Sequence, residues 1–168
     1  MPTDHNPQNT PASERASLRY ALGSFATGVT VITARDAAGN PAGLTVNSFA
    51  SVSLDPPLVL WSIGLGSPSF TIFRDCSHYA INVLAADQEE ISNRFSNPSP
   101  DKFAGLEYTL GLGNAPLLGG CIASFECRNE KQHEGGDHLI LVGRVENYIV
   151  DMGAPLLFFG SRYAGLQP

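Results

Sequence analysis

The chain has 168 residues, a net charge of −6, 43% apolar residues and only 15% charged ones. That length suits one domain with a real core, and an acidic balance without any basic cluster excludes nucleic acid and anionic membrane surfaces as favoured partners. So small a charged fraction leaves little polar surface, so part of the apolar surface is expected to be covered by another subunit. No apolar run approaches the roughly 20 residues that span a bilayer. The polar, proline-bearing start of the chain lacks the basic-then-apolar pattern of a signal peptide. Cys76, Cys121 and Cys127 show no CxxC spacing, which fits a reducing compartment and packing roles better than disulfides or a zinc site. A cytoplasmic protein is expected.

Residues 1–12 read as a disordered arm and residues 13–168 as the single domain. Thr10-Pro11 has the form of a helix cap followed by proline at the first helical position. Leu18, Leu22 and Phe25 recur at helical spacing and predict a helix to about Phe25, with Gly28 past its end. Residues 28–34 are β-branched and read as a strand, and Gly39-Asn40 marks a hairpin turn. The next stretch, residues 43–53, alternates as a strand. Period two places Thr45, Asn47, Phe49 and Ser51 on one face. Its polar side chains are small, uncharged and rich in hydroxyl and amide groups. Such groups suit a bound heteroaromatic or phosphate ligand, although a Ser/Thr-rich edge strand shows the same composition.

Asp55-Pro56-Pro57 should interrupt the ladder, since neither proline donates a backbone hydrogen bond. Residues 58–63 form an apolar strand ended by Gly64-Leu65-Gly66. Ser67-Pro68 repeats the cap-then-proline signature and opens a short helix whose free N–H groups could meet a phosphate. Residues 79–84 are a further strand. Asp87 is expected to cap a helix that turns Ile91 and Phe95 inward. Residues 105–118 are glycine- and proline-rich and expected to be irregular. Residues 122–130 and 138–150 are strands joined across Gly135-Gly136, and residues 155–159 form a last short one. Six or seven clustered strands, two or three helices and no regular strand–helix alternation point to a closed antiparallel barrel with helical attachments. No G-x-G-x-x-G follows the first strand, which argues against a Rossmann dinucleotide site.

His138 stands at a strand mouth beside a flexible turn, where a histidine can enter a pocket, although a solvated turn histidine looks the same in sequence. Without a G-x-S-x-G elbow a hydrolase triad has no support, and His and carboxylates do not fall at metal-ligand spacings. Arg94 and Lys102 flank a proline-rich loop and on chemistry alone read as solvated charges. Tyr163, between glycines near the end, reads as a lid or an anchor for the tail.

Several motifs stand in order along the chain: Phe25-Ala26-Thr27-Gly28-Val29-Thr30-Val31-Ile32-Thr33, residues 43–54, Asp55-Pro56-Pro57-Leu58, Tyr79-Ala80-Ile81-Asn82-Val83-Leu84, Asp101-Lys102-Phe103-Ala104-Gly105, Pro116-Leu117-Leu118 and Gly136-Asp137-His138. Taken together, they resemble the flavin reductase family, the reductase components of two-component flavin-dependent monooxygenases. The resemblance implies a mainly β, FMN-binding split β-barrel with peripheral helices. It further implies a homodimer that takes hydride from NADH or NADPH to FMN or FAD and supplies reduced flavin to a partner monooxygenase. It places the flavin cradle at Gly43, Leu44, Thr45, Asn47 and Ser48, continued by Ser62, Ile63 and Gly64. Ser67 and Ser69 would hold phosphate, and Arg94, Phe95, Lys102 and Phe103 would add flavin or phosphate contacts. His138 and Tyr163 would lie near the nicotinamide, with His138 as the catalytic candidate. A flavin carrier or redox-sensor module on the same barrel is the alternative.

Overall fold

The computed structural model describes residues 12–99 and 101–166. The expected N-terminal arm and its Thr10-Pro11 cap lie outside these residues, apart from Ala12, which begins the first helix. That helix, α1 (Ala12–Leu22), stops three residues short of Phe25. Gly23 closes it through a bond from its N–H to the Arg19 carbonyl. Leu18, Leu22 and Phe25 do recur along the chain, but α1 buries no residue and all three stay exposed.

The strands follow in order as β1 (Thr27–Gly28), β2 (Thr30–Arg35), β3 (Pro41–Val46), β4 (Ala50–Leu54) and β5 (Pro57–Gly64). After α2 (Phe70–Asp75) comes β6 (His78–Val83), and α3 (Glu89–Ser96) precedes β7 (Tyr108–Leu110) and β8 (Pro116–Leu118). The long pair β9 (Ala123–Gly135) and β10 (His138–Val150) is followed by a hairpin of β11 (Leu157–Phe159) and β12 (Arg162–Ala164). Seven strands make one antiparallel sheet in the order β3-β2-β6-β9-β10-β5-β4.

The sheet is split: its edges, β3 and β4, do not pair with each other, so the closed barrel expected from strand count is corrected. The reason lies in residues 47–49, which leave the strand conformation. The expected alternation therefore stops at Val46, and the chain turns a corner before β4. The glycine-rich stretch expected to be irregular instead holds the β7–β8 hairpin around a short 3-10 turn (Leu112–Asn114). Asp87 does not cap α3. Gln88 stands at that position, and its side-chain oxygen accepts from the Ala85 N–H.

Strand periodicity explains the two cores. Along β2, Ile32 and Ala34 point into a cluster with Trp61, Phe73, Tyr79 and Leu141, while Val31 points into another with Leu84, Phe95 and Phe103. Both faces of β2 are thus covered, which is why its sequence is apolar and β-branched rather than alternating. Asn82, fully buried on β6, ties the layers together. Its amide donates to the Val31 carbonyl at 3.0 Å, and its oxygen accepts from the Leu118 N–H at 2.9 Å. The second cluster contains Phe95 of α3, and Phe158 and Tyr163 of the C-terminal hairpin pack against it.

Candidate functional site

Two grooves meet at Lys102. The first, about 560 Å³, is bounded by Leu44 and Thr45 of β3, Ser67 and Ser69 after β5, Phe95 at the end of α3, and Lys102. The second, about 370 Å³, shares Ser69 and Lys102 and runs past Asn40, Gly43, Asp101 and Phe103. The wall between them depends on a close approach of α3 to β3. A Cβ at Gly43 would fall 2.5 Å from Cε1 of Phe95, so only glycine lets that ring lie against the strand. Phe95 in turn meets Phe103 edge-on, with centroids 5.0 Å apart. The Thr45 hydroxyl donates to the Ser92 carbonyl at 2.7 Å, a second tie between the strand and the helix.

Lys102 supplies the third tie. Its ammonium donates to the Phe95 carbonyl at 2.8 Å and the Gly43 carbonyl at 3.3 Å. An ammonium has three N–H groups, so one donor remains for the grooves. Burial pulls the Lys102 pKa below the ordinary lysine value. Among the described residues it is the one charged side chain lining the first groove. Nearby, the Ser67 oxygen accepts from the Ser69 N–H at 3.3 Å, which leaves the Ser67 hydroxyl proton for a ligand. The helix that follows has only six residues, and Ser69 makes no side-chain cap bond. The positive pole of the site is therefore the amine, more than the helix end.

The other candidate residues have different neighbours. Asn47 is exposed in the corner after β3. Ser48 accepts from the Ser62 N–H at 3.0 Å and so pins that corner to β5. Ile63 is buried in the first core cluster, and Gly64 is half-buried at the end of β5. Arg94 donates to the Ala104 carbonyl at 2.9 Å and staples α3 to the following loop. The Tyr163 hydroxyl lies 2.8 Å from Oγ of Ser92 and donates to Oδ1 of Asn93 at 3.1 Å. His138 pairs with Gly64 across β10 and β5, and its Nδ1 sits 2.7 Å from Oδ1 of Asp137. That bond to His138 holds the Asp137 carboxyl below the usual carboxylate range. The Asp137 carbonyl also accepts from Leu65, which places His138 next to the turn that leads into Ser67.

The structure thus gathers Gly43, Leu44, Thr45, Ser67, Ser69, Phe95, Lys102 and Phe103 around the grooves. Sequence reasoning missed Pro68, Ser96 and Ser99, which also line the first groove. Ser96 and Ser99 flank Asn97-Pro98, and the proline there reads as a mere connection. Ser92, whose carbonyl meets Thr45, carried no signal of its own. Burial pushes the Cys76 and Cys121 thiols up to about 11 and the Cys127 thiol up to about 12, so thiol chemistry has no ready nucleophile here.

Residues 22–167 match the family described as flavin reductase like domain. The chain is 45% identical over 164 residues to the FMN reductase (NADH) SmoA of Agrobacterium fabrum, covering 97% of this chain and 92% of that protein. It is 47% identical over 146 residues to the reductase component of the flavin-dependent trigonelline monooxygenase of Acinetobacter baylyi, covering 87% of this chain. It spans only 47% of that relative's length. Among solved structures, the NADH:FAD oxidoreductase SgcE6 of Streptomyces globisporus, in complex with NAD and FAD fragments, superposes with a TM-score of 0.89. The identity there is 37%, over 95% of this chain and 96% of that one.

Proposed function

The chain belongs to the flavin reductase like domain family, and on that premise we propose that it is an NAD(P)H:flavin oxidoreductase whose reduced flavin serves a partner monooxygenase. The observation that carries this reading is Lys102. Its ammonium is fixed by two carbonyls and keeps one donor at the junction of two grooves. The arrangement suits a ligand with an extended ring system and a phosphate. Leu44 and Phe95 offer apolar surface to the ring, Thr45 a polar contact beside it, and Lys102 with Ser67 the anion contacts.

The chemistry that flavin supplies when bound is acceptance of hydride from the nicotinamide. The work of the chain is to bind, orient and shield. Leu44, Thr45 and Phe95 hold the ring, Lys102, Ser67 and Ser69 hold the phosphate, and His138 with its nitrogen set by Asp137 orients the nicotinamide. FMN and FAD both fit this chemistry, as do NADH and NADPH. The protein is a cytoplasmic homodimer in this reading. Leu18 and Leu22 of α1, Phe25 just beyond it, and Tyr148, Ile149, Val150 and Met152 near the end of β10 leave apolar surface that a second copy would cover. No helix among the described residues is long and apolar enough to cross a membrane.

The test mixes the purified protein with NADH and FMN or FAD in air and follows the absorbance of the reduced nicotinamide. Rapid oxidation that requires added flavin is expected. Tight flavin binding without turnover would replace the reductase by a flavin carrier or redox sensor on the same fold.

A further inference from the structure

We infer that Tyr163 of the C-terminal hairpin is a positioning residue for the flavin groove. Acting through Ser92, it fixes Thr45 as a pure hydrogen-bond acceptor toward the ligand. The inference rests on the flavin reading above. Two contacts in series, through one buried residue, carry it. The Tyr163 hydroxyl lies 2.8 Å from the Ser92 hydroxyl. Ser92 is fully buried on α3. The carbonyl of the same residue takes the Thr45 hydroxyl at 2.7 Å. A carbonyl has no proton to give, so the single proton of Thr45 must point at Ser92. Toward the first groove, which Thr45 lines, only oxygen lone pairs remain. The ligand atom that meets Thr45 must then be an N–H or O–H. On a flavin this means the imide N–H of the ring or a hydroxyl of the ribityl chain, and a ring carbonyl is excluded.

The hairpin is well placed to hold this arrangement. Tyr163 packs edge-on against Phe158 with centroids 5.6 Å apart, and both pack against the cluster that contains Phe95. Its hydroxyl also donates to Asn93, the neighbour of Ser92. Without the Tyr163 hydroxyl, α3 can roll, and the Ser92 carbonyl no longer holds the Thr45 proton away from the groove.

The test is a pair of substitutions in two backgrounds. Tyr163→Phe removes one oxygen and keeps the ring packing. Affinity for FMN is read by fluorescence titration of the protein without nicotinamide. In the otherwise native chain, Tyr163→Phe is expected to weaken FMN binding about three- to tenfold, the size of one lost hydrogen bond. The KM for flavin should rise in step with the loss of affinity. In a Thr45→Val background, Tyr163→Phe should have no further effect, because the group it positions is gone. Ser92→Ala should reproduce the same pattern and serves if Tyr163→Phe folds poorly. Unchanged FMN affinity in Tyr163→Phe would overturn the inference. So would an equal loss in both backgrounds, since Tyr163 would then act on the ligand by another route. If the native chain binds no flavin at all, the reductase reading fails instead.

Discussion

The ammonium of Lys102 lies 2.8 Å from the carbonyl oxygen of Phe95, so the cation of the groove also holds the helix that forms one wall. Binding and architecture are therefore linked in one side chain, and they can be separated by the choice of ligand. Lys102→Met keeps much of the stem and removes the charge. Loss of a charged hydrogen bond is worth about 1.5–3 kcal/mol, or roughly tenfold to a hundredfold in affinity. FMN should lose affinity by that amount. Riboflavin, which has no phosphate, should lose far less. Equal losses for the two would mean that Lys102 acts on the wall alone.

The half-buried position of Lys102 also sets a pH dependence with opposite signs for stability and for binding. Its folded pKa is lowered by burial. Between the folded and unfolded values the unfolded chain binds more protons, so stability contributed by this group rises with pH there. Phosphate binding needs the proton and falls over the same range. FMN affinity should decline on the alkaline side before the ordinary lysine range is reached, while riboflavin affinity stays level. Titrations of both ligands across that range check the sign, and parallel curves would rule the amine out as the phosphate contact.

Gly43→Ala tests the contact of α3 with β3. The new methyl would lie 2.5 and 2.7 Å from two atoms of the Phe95 ring, which is itself fully buried. Either the ring or the helix must move. Overpacking of this kind costs about 1–3 kcal/mol. A melting temperature several degrees lower and weaker FMN binding are expected together. A variant as stable as the native chain would show that the wall yields without cost.

The fold was largely legible in the sequence because β-branched runs, glycine turns and prolines are local signals. The 13-residue strand at His138 and the hairpin at Gly39-Asn40 stand where such signals put them. What was not legible depends on distant partners. The corner after Val46, pinned by Ser48 to Ser62, and the absence of a seam between β3 and β4 involve residues that lie apart in the chain. In the site, Thr45, Ser67 and Ser69 were readable as small polar groups beside turns. Lys102 read as a solvated charge until the structure put the Gly43 and Phe95 carbonyls against it. Ser92 and Tyr163 are 71 positions apart, and no spacing pattern in one sequence could join them.

His138 is where binding and turnover should part. Gly64 stands opposite it on β5 and offers no side chain to block the imidazole. A Cβ built there would lie 3.8 Å from Nε2. With Nδ1 bound to Asp137, the other ring nitrogen is the one turned to that open side, next to the turn that carries Ser67. In the role given to it above, His138→Ala removes an orienting contact to the nicotinamide and touches none of the groove residues Gly43, Thr45 and Lys102. NADH turnover should fall about tenfold or more, since misplacement of a reacting group by even 1 Å is costly. Flavin affinity should stay within about twofold, and the side chain's exposure should keep the melting temperature close to native. Asp137→Asn should give a smaller loss of the same kind, because it loosens the imidazole without removing it. Unchanged turnover in His138→Ala would remove the residue from the reaction.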